Sequence, residues 1–93
     1  MGVVMDKVKV GETIKFLRIK NTYLSQEEFA SKIGLERTYL SRVESGQKNI
    51  TLETLDIICK GLEVTITEFF IVYDEMLPIE GEQENDKKND TSV

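Results

Sequence analysis

Residues Leu24–Gly46, LSQEEFASKIGLERTYLSRVESG, carry the spacing of two short helices joined by a tight glycine turn. Ser25 followed three residues later by Glu28 is a capping box, which satisfies two orphan backbone N–H groups and predicts a helix opening near Gln26. Phe29, Ala30 and Ile33 recur at helical spacing and give that helix one apolar face, with Ala30 small enough to admit a close neighbour. Gly34 supplies the positive φ that ends it, and Leu35 tucks the turn toward the core. A second helix comes next, with Leu40 and Val43 inward and Arg37, Thr38, Tyr39, Ser41 and Arg42 on or near the outward face. A helix so furnished fits a DNA major groove, about 12 Å wide, and reaches base edges from its N-terminal half.

Outward from this stretch the periodicity stays helical. A first helix is expected from Gly11 to about Lys20, with Ile14, Leu17 and Arg18 on one face. Thr51 is the expected N-cap of a fourth helix carrying Leu52, Leu55, Ile58 and Cys59 and stopped by Gly61. Thr65 with Glu68 is a second capping box and opens a fifth helix through Phe69, Phe70, Val72 and Tyr73. The expected fold is all-α, five short helices over residues 9–77. Residues 1–8 are expected to form an N-terminal arm, although they are apolar enough for a strand. The acidic tail 78–93 has little to bury and is expected to be disordered.

Ninety-three residues support one small core, and such domains often gain stability by pairing. The fifth helix carries more large apolar residues than one core can use, so Ile66, Phe69, Phe70 and Tyr73 are expected at a dimer interface. Cys59 lies among Leu55, Ile58 and Leu62, which fits a small core hydrophobe rather than a redox sensor. A lone cysteine makes no internal disulfide, and no apolar run reaches the roughly 18 residues a membrane span needs, so a reducing cytoplasm is the expected setting. With no histidine, no metal-ligand cluster, no glycine-rich phosphate loop and no nucleophile beside a base, an enzyme is not expected, nor a cofactor or metal.

The net charge of −5 runs against nucleic-acid binding until it is located. Seven acids against two lysines put the whole excess between Asp74 and Val93. Lys15 to Lys48 holds seven bases against four acids, and a local basic face matters more than the sum.

At SQEEFASKIGLERTYLSRVESG the sequence resembles the helix-turn-helix of the Cro and phage-repressor (XRE-type) family, over about Val10 to Phe70. RTYLSRVE in particular is similar to the controller proteins of restriction-modification operons, and the downstream NITLETLDIICKGLEVTITEFF strengthens the match. The resemblance implies a five-helix, lambda-repressor-like domain that binds a palindromic operator as a homodimer and regulates transcription. It also implies roles for individual residues. Gln26 would touch backbone phosphate and brace the recognition helix, while Arg37, Thr38 and Arg42 would read bases. Ser41 shares their face, and Tyr39 would meet a thymine methyl, a base step or a phosphate, or else pack over Leu35. Gln47, Lys48 and Asn49 would lie in a phosphate-gripping loop, and Arg18 with Glu44 would form a buried structural salt bridge. Double-stranded DNA, a second copy of the chain and RNA polymerase are the candidate partners.

Two departures stand out. The run KNTYL holds one residue more than the common pattern between Arg18 and Gln26, and Glu36 occupies an N-cap where Ser, Thr or Asp is preferred. The competing reading is a protein-interaction adaptor or an antitoxin reusing the same fold.

Overall fold

Asp6 starts the first helix. In the computed structural model, which describes residues 5–76, its carboxylate accepts from the Val8 and Lys9 N–H groups and caps α1, Lys7–Leu17. The helix therefore begins four residues before the expected Gly11 and takes Lys7 and Val8 out of the expected arm. Residues 1–4 and 77–93, the expected tail among them, lie outside the described residues.

At Arg18 the helix widens into a π-helical turn, Arg18–Thr22. A π turn holds more residues per turn than an α turn, and this one takes in Lys20, Asn21 and Thr22 of the run KNTYL. Side chains secure it: the Thr22 hydroxyl donates to the Arg18 carbonyl at 2.6 Å and accepts from the Leu24 N–H at 3.1 Å, and the Asn21 amide donates to the Leu62 carbonyl at 3.0 Å. The turn ends at Tyr23, in the left-handed conformation at φ 59°, which costs a non-glycine residue about 1–2 kcal/mol.

The next helices are α2, Gln26–Ile33, and α3, Arg37–Glu44. The Ser25–Glu28 capping box is present in both directions, and Gly34 closes α2 at φ 77°. The Glu28 carboxyl lies below the usual carboxylate range because the Ser25 backbone N–H, then its hydroxyl, hydrogen-bonds it. The carboxylate half of the cap is complete at neutral pH and weakens as pH falls through that lowered value, while the Ser25 hydroxyl keeps its bond to the Glu28 N–H. α4, Leu52–Leu62, is capped by Thr51, and α5, Ile66–Glu75, by the Thr65–Glu68 box. Gly61 does not stop α4, which ends at Glu63, left-handed at φ 64°. Gly61 sits inside the helix because α2 needs the space: a Cβ there would lie 2.3 Å from Ile33 Cγ2.

All five α-helices of the described residues feed one core. Val10, Ile14 and Leu17 of α1 meet Phe29 and Ala30 of α2, Leu40 and Val43 of α3, Leu55, Ile58, Cys59 and Leu62 of α4, and Phe69 of α5. Each fully buried large side chain contributes about 1.5–3 kcal/mol. Burial, then the nearby Asp56 carboxylate, pushes the Cys59 thiol up to about 11, so it stays a protonated core group. No described helix is long and apolar enough to cross a membrane.

α1 approaches the C-terminal end of α3 closely at Gly11, where a Cβ would fall 2.3 Å from the Val43 carbonyl oxygen and 2.6 Å from that of Glu44. Backbone cannot yield as a side-chain tip can. Gly11→Ala is expected to destabilise the domain by about 2–3 kcal/mol, read as a lower midpoint in urea unfolding; an unchanged midpoint would show that α1 can shift freely.

Candidate nucleic-acid interface

α3 presents the chemistry. At 100° per residue, Arg37, Ser41, Thr38 and Arg42 occupy an arc of about 140°, opposite the buried Leu40 and Val43. Arg37, Thr38 and Arg42 are exposed, and Ser41 and Tyr39 are half-buried. Tyr39 packs against the edge of the core while the Lys48 ammonium lies 5.8 Å from its ring centroid. That contact links the recognition face to the exposed loop residues Gln47, Lys48 and Asn49. The loop leaves α3 with the Gln47 N–H donating to the Arg42 carbonyl at 2.9 Å. Glu36 caps α3 by backbone geometry alone, with no side-chain hydrogen bond.

A buried charge network sets the angle of this helix. Arg18 donates from Nε to Glu44 Oε2 at 2.8 Å, from Nη2 to Glu44 Oε1 at 2.9 Å, and from Nη1 to the Leu24 carbonyl at 2.9 Å. Gln26 Nε2 adds a third donor to the Glu44 carboxylate, reaching Oε1 at 3.0 Å. One carboxylate thus ties the π turn at the end of α1, the start of α2 and the end of α3 together. Bidentate guanidinium–carboxylate geometry leaves little angular freedom. Lys15, Gln26, Ser41, Glu44 and Ser45 line a shallow hollow on the same side. Lys15 was not among the residues expected at the site; its position three residues before Arg18 was the available signal.

The residues expected at a dimer interface divide. Phe69 is fully buried in its own core and offers no surface to a second copy, which corrects that expectation: α5 turns Phe69 straight onto α1 and α4. Tyr73 is half-buried, with its hydroxyl accepting from the Asp6 N–H at 2.9 Å and the Lys9 ammonium 4.4 Å from its ring centroid. Phe70 is half-buried, edge-on to both Phe69 and Tyr73, and Ile66 is 38% exposed.

The helix-turn-helix family model matches residues 14–69. The control protein C.MunI of Mycoplasma sp is 45% identical over 64 residues, which are 69% of this chain and 86% of that protein. The antitoxin PezA of Streptococcus pneumoniae is 40% identical over 72 residues, but the match spans only 44% of PezA. Among solved structures, the tetramer of the restriction-modification controller protein C.Esp1396I with its natural 35 base-pair operator superposes with a TM-score of 0.70 at 36% identity, covering 78% of this chain and 95% of that one. Solved variants of that controller replace three consecutive residues, an arginine, a threonine and a tyrosine. In the present chain that tripeptide occurs once, as Arg37–Thr38–Tyr39.

Proposed function

The chain belongs to the helix-turn-helix family, and from that premise we propose that it is a sequence-specific transcriptional regulator of the restriction-modification controller type, binding a palindromic operator as a homodimer. The observation that carries the reading is the exposed Arg37–Thr38–Tyr39 tripeptide at the N-terminus of an α3 that is held rigid by the Arg18–Glu44–Gln26 network. Rigid presentation matters because base readout rewards donors already aligned with base edges. In this reading Arg37, Thr38 and Arg42 read the groove, Ser41 and Tyr39 line its wall, and Gln26, Gln47, Lys48 and Asn49 hold phosphates.

Ile66 and Phe70 supply the apolar surface for pairing, which places two recognition helices about one DNA turn, roughly 34 Å, apart. The protein acts by occupying promoter DNA rather than by catalysis, so RNA polymerase is the machinery it blocks or recruits. In this reading the protein controls its own operon and a neighbouring restriction-modification system, and the likeness to C.MunI and C.Esp1396I supports that role.

Fluorescence anisotropy with DNA from upstream of its own gene, against a scrambled duplex at two salt concentrations, tests the function. The expected result is tight binding to the first duplex that survives competitor, with sedimentation equilibrium giving a dimer at tens of micromolar. Equal, weak binding to both duplexes that vanishes with salt would overturn the operator assignment, and a 10.7 kDa species alone would overturn the homodimer.

A further inference from the structure

Tyr23 is the most exposed large hydrophobic side chain of the described residues, at 87%, and it stands in a backbone conformation that disfavours it. Among the described residues its ring has no aromatic or cationic neighbour and its hydroxyl no hydrogen-bond partner. Folding therefore gains nothing from a tyrosine here. Glycine would satisfy the turn without strain.

Its backbone, by contrast, is firmly held. Thr22 and Leu24 on either side are tied by the Thr22 hydroxyl and by Arg18 Nη1, and Asn21 is tied to the end of α4. An exposed ring on a fixed base is prepared for an external partner, and outliers of this kind cluster at functional positions. The location suggests which partner. Tyr23 lies three residues before Gln26, at most about 11 Å of chain. Gln26 itself reaches the end of α3 through the buried Glu44 and lines a shallow hollow with the half-buried Ser41. In a docked helix-turn-helix the first helix of the pair crosses the DNA backbone, so the strand flanking the half-site passes this corner.

We propose that Tyr23 is an additional DNA-backbone contact, its hydroxyl donating to a phosphate oxygen and its ring covering the adjoining sugar at the edge of each half-site. The proposal rests on the operator-binding function above. A phenol is neutral, so this contact adds affinity without displacing a counterion, and it is blind to sequence. Its signature is thus separable from that of a lysine or of a base-reading arginine.

The test measures operator and scrambled-duplex affinity across a salt series, with thermal unfolding and sedimentation equilibrium, for the full chain and for Tyr23→Phe and Tyr23→Gly. Tyr23→Phe is expected to weaken both duplexes by the same factor, roughly fivefold for the loss of one solvent-exposed hydrogen bond, with an unchanged salt slope and melting temperature. Tyr23→Gly is expected to weaken them by about tenfold while raising the melting temperature by about 4 °C, since relieving the left-handed strain stabilises the fold. More stable yet weaker-binding protein is a result that a purely structural role cannot produce. Operator affinity unchanged in both variants would overturn the proposal, as would a loss of self-association with DNA affinity intact, which would assign the ring to a second copy. A wild-type chain that binds neither duplex would overturn the operator function, and this contact with it.

Discussion

Glu44→Ala is expected to lower stability by about 3–5 kcal/mol, the usual consequence of leaving a buried charge without its partner. The Arg18 side chain is 9% exposed and directs two of its three hydrogen bonds at the Glu44 carboxylate, so its remaining bond to Leu24 cannot compensate. A domain of this size is stable by only about 5–10 kcal/mol, so the variant should melt far below the wild type and populate unfolded chain at physiological temperature. Gln26 also loses its acceptor, which frees the start of α2. The paired replacement Arg18→Met with Glu44→Leu is expected to recover much of the stability, because well-packed apolar residues often equal a buried ion pair. It should not recover operator binding in proportion, since apolar packing lacks the bidentate geometry that fixes the tilt of α3. Urea unfolding and anisotropy on all three proteins measure the two effects. A Glu44→Ala midpoint equal to that of the wild type would show that the pair holds nothing together.

The helix starts were legible because a cap is local chemistry. Ser25 with Glu28, Thr65 with Glu68, and Thr51 each bond within three residues along the chain, so the sequence spacing is itself the geometry. Asp6 obeys the same rule, but a helix placed at the first periodic apolar residues overlooks the cap before them. The features that escape the sequence altogether depend on contacts far apart along the chain. Gly61 reads as a terminator until Ile33 and Phe29 are seen against it. Phe69 reads as spare apolar surface until α5 is docked. The surplus residue in KNTYL is visible as a count, but the π turn there, tied to the end of α4 by Asn21 across 41 residues, shows only in the fold. For the site, residue type and helical phase were enough to nominate the face of α3. Lys15 and the triple use of Glu44 required the fold, because those groups come from three separate helices.

The double variant Arg37→Ala/Arg42→Ala is expected to lose about 2–6 kcal/mol of operator binding, each bidentate arginine contributing about 1–3 kcal/mol of discrimination. The two residues are five apart on α3, about 7.5 Å along the axis and about 140° around it, so they reach different base pairs and share no partner among the described residues. Their effects should therefore add to within about 0.5 kcal/mol, and the single variants measured beside the double test this directly. Base reading and phosphate holding make opposite forecasts. If the arginines read bases, the ratio of operator to scrambled affinity collapses toward one while scrambled-duplex binding falls little. If they hold phosphates, both affinities fall together and the salt slope flattens by about 0.9 per arginine removed. Lys48→Ala supplies the reference for the second pattern, since its ammonium sits beside the Tyr39 ring in the loop beyond α3. A double variant whose specificity ratio matches the wild type would remove Arg37 and Arg42 from base readout and leave the discrimination to Thr38, Tyr39 and Ser41.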